Sequence, residues 1–247
     1  MSAPEEQLAL FGSDEAVVVR RSARARRLGL RVFPHGVVEV VAPLRAGKGS
    51  IEQFLRSNAG WIEKTRGSFQ AVQGDFALAP PGEIRLAALD ELWRVEYSSG
   101  KGPLEAFEQP GGGRLLVPGP VDARQRRQRL RAWLMGRARD TLLPWLAAVS
   151  VEAGLHYTNA TVRRQRSRWG SCSARRSVSL NCALLFLEPA LVRYIFLHEL
   201  AHTRHMNHSR TFWRLVATLE PEFDLREKQL RAAWSSVPAW VSYDPAS

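Results

Sequence analysis

The sequence predicts an α+β protein, with a β-rich first region (1–120) and a second region (121–247) of helices packed on a small β-sheet. Three observations carry this. Short Val- and Leu-rich segments, separated by turn residues, fill the first region. Apolar residues at helical spacing begin after Pro120. An almost wholly apolar helical segment near residues 190–201 then carries polar residues in one helical register.

Taken in order, residues 1–15 are acidic and read as a loose arm, too poor in apolar residues for a signal peptide. Segments 16–19, 28–33 and 37–42 read as strands. Pro34-His35-Gly36 joins the last two into a hairpin, in which Leu30, Val32, Val38 and Val40 alternate with other residues. Ser50 is the expected N-cap of a helix over 51–66, broken at 58–60. Segments 84–89 and 92–97 read as strands, and 104–107 with 114–117 as a hairpin whose tip is Gly111-Gly112-Gly113. The one helix here is otherwise surrounded by β structure, and the region holds no evident catalytic set.

From 121 to 154, Leu130, Trp133, Leu134, Leu142, Leu143, Trp145 and Leu146 mark an amphipathic helix. Arg124, Arg126, Arg127, Arg129 and Arg131 are its expected cationic outer face, and Pro144 is expected to kink or divide it. Segments 160–168 and 178–187 then read as a hairpin with a long connection through Trp169 to Ala174.

Composition bounds the function. A formal charge of +11, mostly from arginine, suits polyanionic partners, nucleic acid first; an arginine-rich background composition explains it equally well. Cys172 and Cys182 are too few for a disulfide framework or a four-cysteine zinc site. With no apolar run long enough to span a bilayer, a reduced, cytoplasmic protein without membrane association is expected.

The chemistry concentrates between Leu191 and Trp213, which holds four of the six histidines. Pro189 suits a first helical position. Leu191, Val192, Tyr194, Ile195, Phe196, Leu197 and Leu200 surround the helix with apolar side chains, so it belongs in a core. His198, Glu199 and His202 interrupt that pattern as H-E-x-x-H. Histidines at i and i+4 share a helix face and can grip one metal ion, and the glutamate can reach water beside it. The alternative is a pair of hydrogen-bonded core histidines.

A catalytic zinc needs a third protein ligand. His205 lies roughly 10 Å along the axis from His198 if the helix continues, too far to complete a compact site. His208 is preferred, with Asn207 as a left-handed C-cap and Ser209 as the N-cap of a following helix that Pro221 stops. The expected activity is hydrolysis of peptide bonds by a metal-activated water, with one Zn2+ and Glu199 as general base. Arg168 and Tyr194 are candidates for oxyanion stabilisation, and Asp224 and Glu227 for support around the ligands.

One ordered set of residues is more specific than H-E-x-x-H: Arg166-Ser167-Arg168-Trp169-Gly170-Ser171-Cys172-Ser173, Leu180-Asn181, His198-Glu199-Leu200-Ala201-His202, Asn207-His208-Ser209 and Phe212-Trp213. It resembles the YgjP-like, SprT-related metallopeptidase domain of bacteria, most densely over 155–220 and more loosely at Arg21 to Arg27 and Trp61 to Lys64. The resemblance implies a minimal zincin with zinc on His198, His202 and His208 and the base on Glu199. The H-E-x-x-H-x5-H spacing is also similar to that of yeast-type DNA–protein crosslink proteases, which extends the expected substrates to proteins on DNA. The competing expectations are a nucleic-acid-binding module with a structural or inactive zinc site, and a metal-dependent hydrolase of a non-peptide amide.

Overall fold

The structure, a computed structural model, describes residues 5–9, 16–23, 25–32, 38–73, 80–119, 122–165 and 168–242. The chain forms two compact units, 1–78 and 79–247. The expected turn at Pro34-His35-Gly36 lies outside the described residues.

In the first unit the strands are β1 (Glu5–Ala9), β2 (Ala16–Ser22), β3 (Gly29–Val32) and β4 (Val38–Pro43). The sheet order is β1-β2-β4-β3. β3 and β4 pair antiparallel, as their alternation predicts, while β2 runs parallel to β4. Residues 5–9, expected in a loose arm, pair antiparallel along β2. Their composition offers no apolar alternation; it is the open edge of β2 that gives their backbone partners.

Helices α1 (Lys48–Ser57) and α2 (Ala59–Gln73) follow. The break falls at Asn58, whose side-chain amide donates to Phe54 O at 2.7 Å, taking up a carbonyl at the helix end. Ser50 lies inside α1 and the cap is Gly47, so the first turn begins earlier than the apolar pattern indicates. Ile51, Leu55 and Ile62 pack with Val17, Val19, Val38, Val40 and Ala42 in this unit's own core.

The second unit begins with β5 (Glu83–Leu86), β6 (Glu91–Ser98), β7 (Glu105–Gln109) and β8 (Gly112–Pro118). Their order is β5-β6-β8-β7, with β6 and β8 parallel. The expected strand over 84–89 gives way at Ala87 to a 3-10 turn that ends on Asp90 in the left-handed conformation. At Gly112 (φ 139°) a Cβ would lie 1.9 Å from the Leu92 carbonyl oxygen, so only glycine lets β8 run so close to β6. These strands, read from sequence with the first region, share a core with the helices: Leu86, Trp93, Leu115 and Val117 join Leu130, Leu134, Leu142 and Leu146.

Those last residues belong to α3 (Ala123–Ala153), capped by the Asp122 side chain and ended by Gly154 at φ 61°. α3 is one continuous 31-residue helix with Pro144 inside it. Pro144 is exposed, and apolar contacts on the other side of the helix hold the turns around it. The cationic face is smaller than expected. Arg127 and Arg131 are buried, and Arg131 Nε donates to Trp240 O at 2.6 Å.

The third sheet places the site. Strands β9 (Asn159–Arg163), β10 (Gly170–Cys172) and β11 (Ser177–Asn181) are ordered β10-β11-β9. The expected hairpin of β9 with β11 is instead a parallel pair; the hairpin partner of β11 is β10. A long connection leaves both directions open, and the short turn at residues 173–176 selects β10. The apolar run 178–187 leaves the sheet at Asn181 and continues as a buried 3-10 turn, Cys182–Phe186. Four helices complete the unit: α4 (Pro189–Ala201), α5 (Arg210–Leu219), α6 (Phe223–Ala232) and the short α7 (Ala239–Ser242). Among the described residues no helix is long and apolar enough to cross a membrane.

Leu142 is fully buried at the contact of α3 with this shared core. Leu142→Ala is expected to destabilise the second unit by about 2–5 kcal/mol, read from denaturant unfolding.

Candidate active site

α4 is buried along nearly its whole length because its side chains are apolar on every face. It starts with Pro189 in the first turn and stops at Ala201. The Thr203 hydroxyl donates to Leu200 O at 2.7 Å, and Thr203 N donates to the same carbonyl at 2.9 Å. These bonds tighten the last turn and end the helix. The expected left-handed cap at Asn207 is not formed: the helix stops earlier, and Asn207 is not among the residues with positive φ. Ser209 does cap α5, accepting from Phe212 N at 3.4 Å, and the chain leaves that helix at Glu220, before Pro221.

The corner between α4 and α5 brings three of the four histidines together. The ring donors of His198, His202 and His208 all lie within 4.8 Å of one another. The Nε2 atoms of His198 and His208 are 3.2 Å apart. Phe212, fully buried, sits among all three rings at centroid distances of 5.1, 4.5 and 4.8 Å. Trp213 stacks on His208. His205 is outside this group and contributes its carbonyl, 3.0 Å from His202 Nδ1. A carbonyl only accepts, so Nδ1 carries the proton and the Nε2 lone pair of His202 is free.

This donor set fits zinc. Two nitrogen ligands at 2.0–2.1 Å on a tetrahedral ion stand about 3.3 Å apart, close to the His198–His208 spacing. Burial, then the neighbouring imidazoles, lower the His198 pKa to about 3, and burial also lowers that of His202. Both are therefore neutral at pH 7, the state that binds a metal. Cys172 is no competing ligand: burial and then the Glu199 charge push its thiol up to about 11.

Glu199 points away from solvent and lies against the backbone of Gly170. A Cβ at position 170 would stand 2.7 Å from Glu199 Cγ and 2.9 Å from Oε1. Burial pushes the Glu199 carboxyl up to about 8, opposed by the charge of Arg168. Asn181, fully buried, fixes the approach to Gly170. Its amide donates to the carbonyls of Gln165 and Arg168 at 2.8 and 2.7 Å, while its oxygen accepts from Ala183 N. Gly170 and Asn181 stand in the quoted motifs, but no spacing rule shows that they meet Glu199 and its loop.

Of the oxyanion candidates, the Tyr194 hydroxyl donates to Glu227 Oε1 at 2.6 Å, and burial with that bond raises its pKa well above the usual range. Arg168 is exposed. Asp224 is also exposed and acts on Tyr194 only through its charge. His198 and Glu199 open together on a cavity of about 340 Å³.

The family model of the YgjP-like metallopeptidase domain matches residues 26–233. This chain belongs to the YgjP-like metallopeptidase family. Its fold is accordingly an α+β metallopeptidase domain with a β-rich N-terminal region. Among solved structures it is similar to the metallopeptidase zymogen abylysin of Pyrococcus abyssi, at 26% identity over 37% of this chain and 93% of that one, TM-score 0.34. The zymogen jannalysin of Methanocaldococcus jannaschii is similar at 19% identity over 37% and 94%, TM-score 0.33. No curated protein matches.

Two outcomes follow from this packing. Gly170→Ala is expected to cost about 1–3 kcal/mol by overpacking against Glu199. Glu199→Ala in the same chain should relieve it, a coupling that a double-mutant unfolding cycle reads directly. The second outcome concerns pH. In chelator-treated protein, Glu199 has a raised folded pKa, so its contribution is complete below its unfolded value of 4.5 and lost as pH rises through 8. His198 has a lowered one, so its contribution is complete above 6.5 and lost as pH falls through 3. The melting temperature should therefore fall from pH 6.5 to 8.5, and Glu199→Gln should flatten that fall.

Proposed function

We propose that this chain is a zinc-dependent peptidase in which His198, His202 and His208 hold one Zn2+ and Glu199 is the general base. The observation that carries this reading is the convergence of three imidazoles at metal-binding separation, beside a buried carboxylate that shares a cavity with His198. When bound, zinc supplies a Lewis acid that makes water a nucleophile near neutral pH and polarises a carbonyl. The protein's own parts divide the remaining work. The His205 carbonyl holds His202 in the tautomer that presents Nε2. Phe212 fixes the relative tilt of the three rings. A Glu199 carboxylate oxygen takes the proton from water and returns it to the leaving amine nitrogen. β10 is an edge strand, so its free side can align an extended peptide past Gly170 and Glu199.

Substrates carried on DNA form a second reading. It is favoured by exposed Arg163, Arg168, Arg175 and Arg176 on or beside the sheet that holds Gly170. The contrary reading, a nucleic-acid-binding module with a structural zinc, gives Glu199 no task beside the ligands.

Metal analysis joined to a peptide-cleavage assay, with and without DNA, tests these readings. Glu199→Gln should retain zinc and lose roughly 10²–10⁴-fold in rate. His208→Ala should lose zinc, and His205→Ala should keep it. Zinc loss in the His205 variant alone overturns the ligand assignment. A zinc-loaded wild type that cleaves no peptide in either condition overturns the peptidase reading.

A further inference from the structure

The cavity beside His198 and Glu199 has walls of two kinds. Trp169 and Trp234 stack at 4.0 Å and 18°, and with Leu230 and Ile195 they give it an apolar lining. Glu227 also lines it and is half-buried. Its Oε1 accepts the Tyr194 hydroxyl. Among the described residues no lysine or arginine forms an ion pair with Glu227, although Arg231, one helical turn further along α6, also lines the cavity. The cavity therefore combines apolar walls with a carboxylate that has a neutral hydrogen-bond partner and no direct ion pair, and with the Arg231 cation on the same wall.

Three classes of side chain can be compared as occupants. An acidic one could reach Arg231 on the wall but would stand against the Glu227 carboxylate, and like charges repel strongly away from bulk water. A purely apolar one would cover the indoles and Leu230 but strip water from Glu227 without replacing it. Lysine and arginine match both features: a long aliphatic stem lies on apolar surface while the cation reaches the carboxylate. Indole faces add attraction for a cation passing over them. At about 340 Å³ the cavity falls in the usual range for ligand sites.

The geometry points to this cavity as the subsite for a basic side chain, lysine or arginine, next to the bond to be cleaved, with Glu227 as its counter-ion. Its place beside a scissile bond rests on the peptidase reading; the recognition of a basic side chain does not. Glu227 is thus a specificity-determining residue, and the Tyr194 hydrogen bond positions its carboxylate.

Binding and cleavage test this separately. In the full chain carrying Glu199→Gln, binding of Nα-acetyl-lysinamide, Nα-acetyl-argininamide, Nα-acetyl-norleucinamide and Nα-acetyl-glutamamide is followed by tryptophan fluorescence and calorimetry. The basic amides should bind roughly tenfold or more tightly than norleucinamide, between the exposed and fully buried limits for an ion pair. Adding Glu227→Gln, which keeps an acceptor for Tyr194, should abolish the difference. Arg231→Gln, a second variant that leaves the Tyr194–Glu227 bond in place, should strengthen basic-amide binding. Equal or tighter binding of norleucinamide, or discrimination that survives Glu227→Gln, overturns the assignment. In the zinc-loaded wild type, peptides differing only at the residue beside the cleaved bond should show the same order in kcat/KM. Cleavage without a basic preference overturns the subsite and leaves the peptidase reading standing. Basic-amide selectivity without cleavage of any peptide does the reverse.

Discussion

The candidate site depends on ionisable side chains, His198 and Glu199 within α4 and His202 at its end, set on a helix that the core has otherwise desolvated. α4 is largely buried, so the environment drives His198 neutral and holds Glu199 towards its protonated form. Neutral imidazoles are ready ligands. A cation among them adds positive charge beside Glu199, which favours the carboxylate that a general base needs. In the proposed function, the same burial that keeps the imidazoles neutral leaves Glu199 dependent on a bound metal for its charge. The three imidazoles and Glu199 thus form one electrostatic unit.

Two contacts turn this helix into a site. The first is the corner after Ala201, where Thr203 tightens the last turn, the His205 carbonyl sets the His202 tautomer and Ser209 begins α5. The corner faces His208 towards His198 and brings Phe212 against all three rings. The second is the close approach of β10. Gly170 leaves room for the Glu199 side chain, and Asn181 ties down the segment leading to it. A local loss at either place would move Glu199 relative to the three imidazoles, and in the proposed function a misplacement of about an ångström is costly in catalysis.

The strong positive charge serves the interior as well as the surface. Arg131 is buried on a backbone carbonyl, Arg137 pairs with Glu91 and Glu108, and Arg20 and Arg31 share the nearly buried Glu39. These arginines hold elements together within each unit and leave less of the +11 for a polyanion. The exposed arginines around β9, β10 and β11 remain, near the proposed chemistry.

The sequence by itself determined the parts whose physics is local. The apolar text of α4, the break near Asn58, the Ser209 cap, the β3–β4 pairing and the β7–β8 hairpin all follow from periodicity and turn chemistry within a few residues, although the hairpin's tip is Pro110-Gly111 and the expected tip residues Gly112 and Gly113 already pair within β8. Tertiary structure alone decided what depends on partners distant in the chain. β9 pairs in parallel with β11, residues 5–9 become a strand, and the sheet of β5 to β8 joins the core of α3, because strand edges and apolar faces are satisfied by whatever the fold brings near. The early arginines of α3 look alike in sequence, yet Arg127 and Arg131 are buried because elements elsewhere in the chain cover them. The meeting of Gly170 with Glu199, and of Glu227 with Tyr194, was decided there too: both join residues about thirty positions apart, through contacts that no helical or strand period encodes.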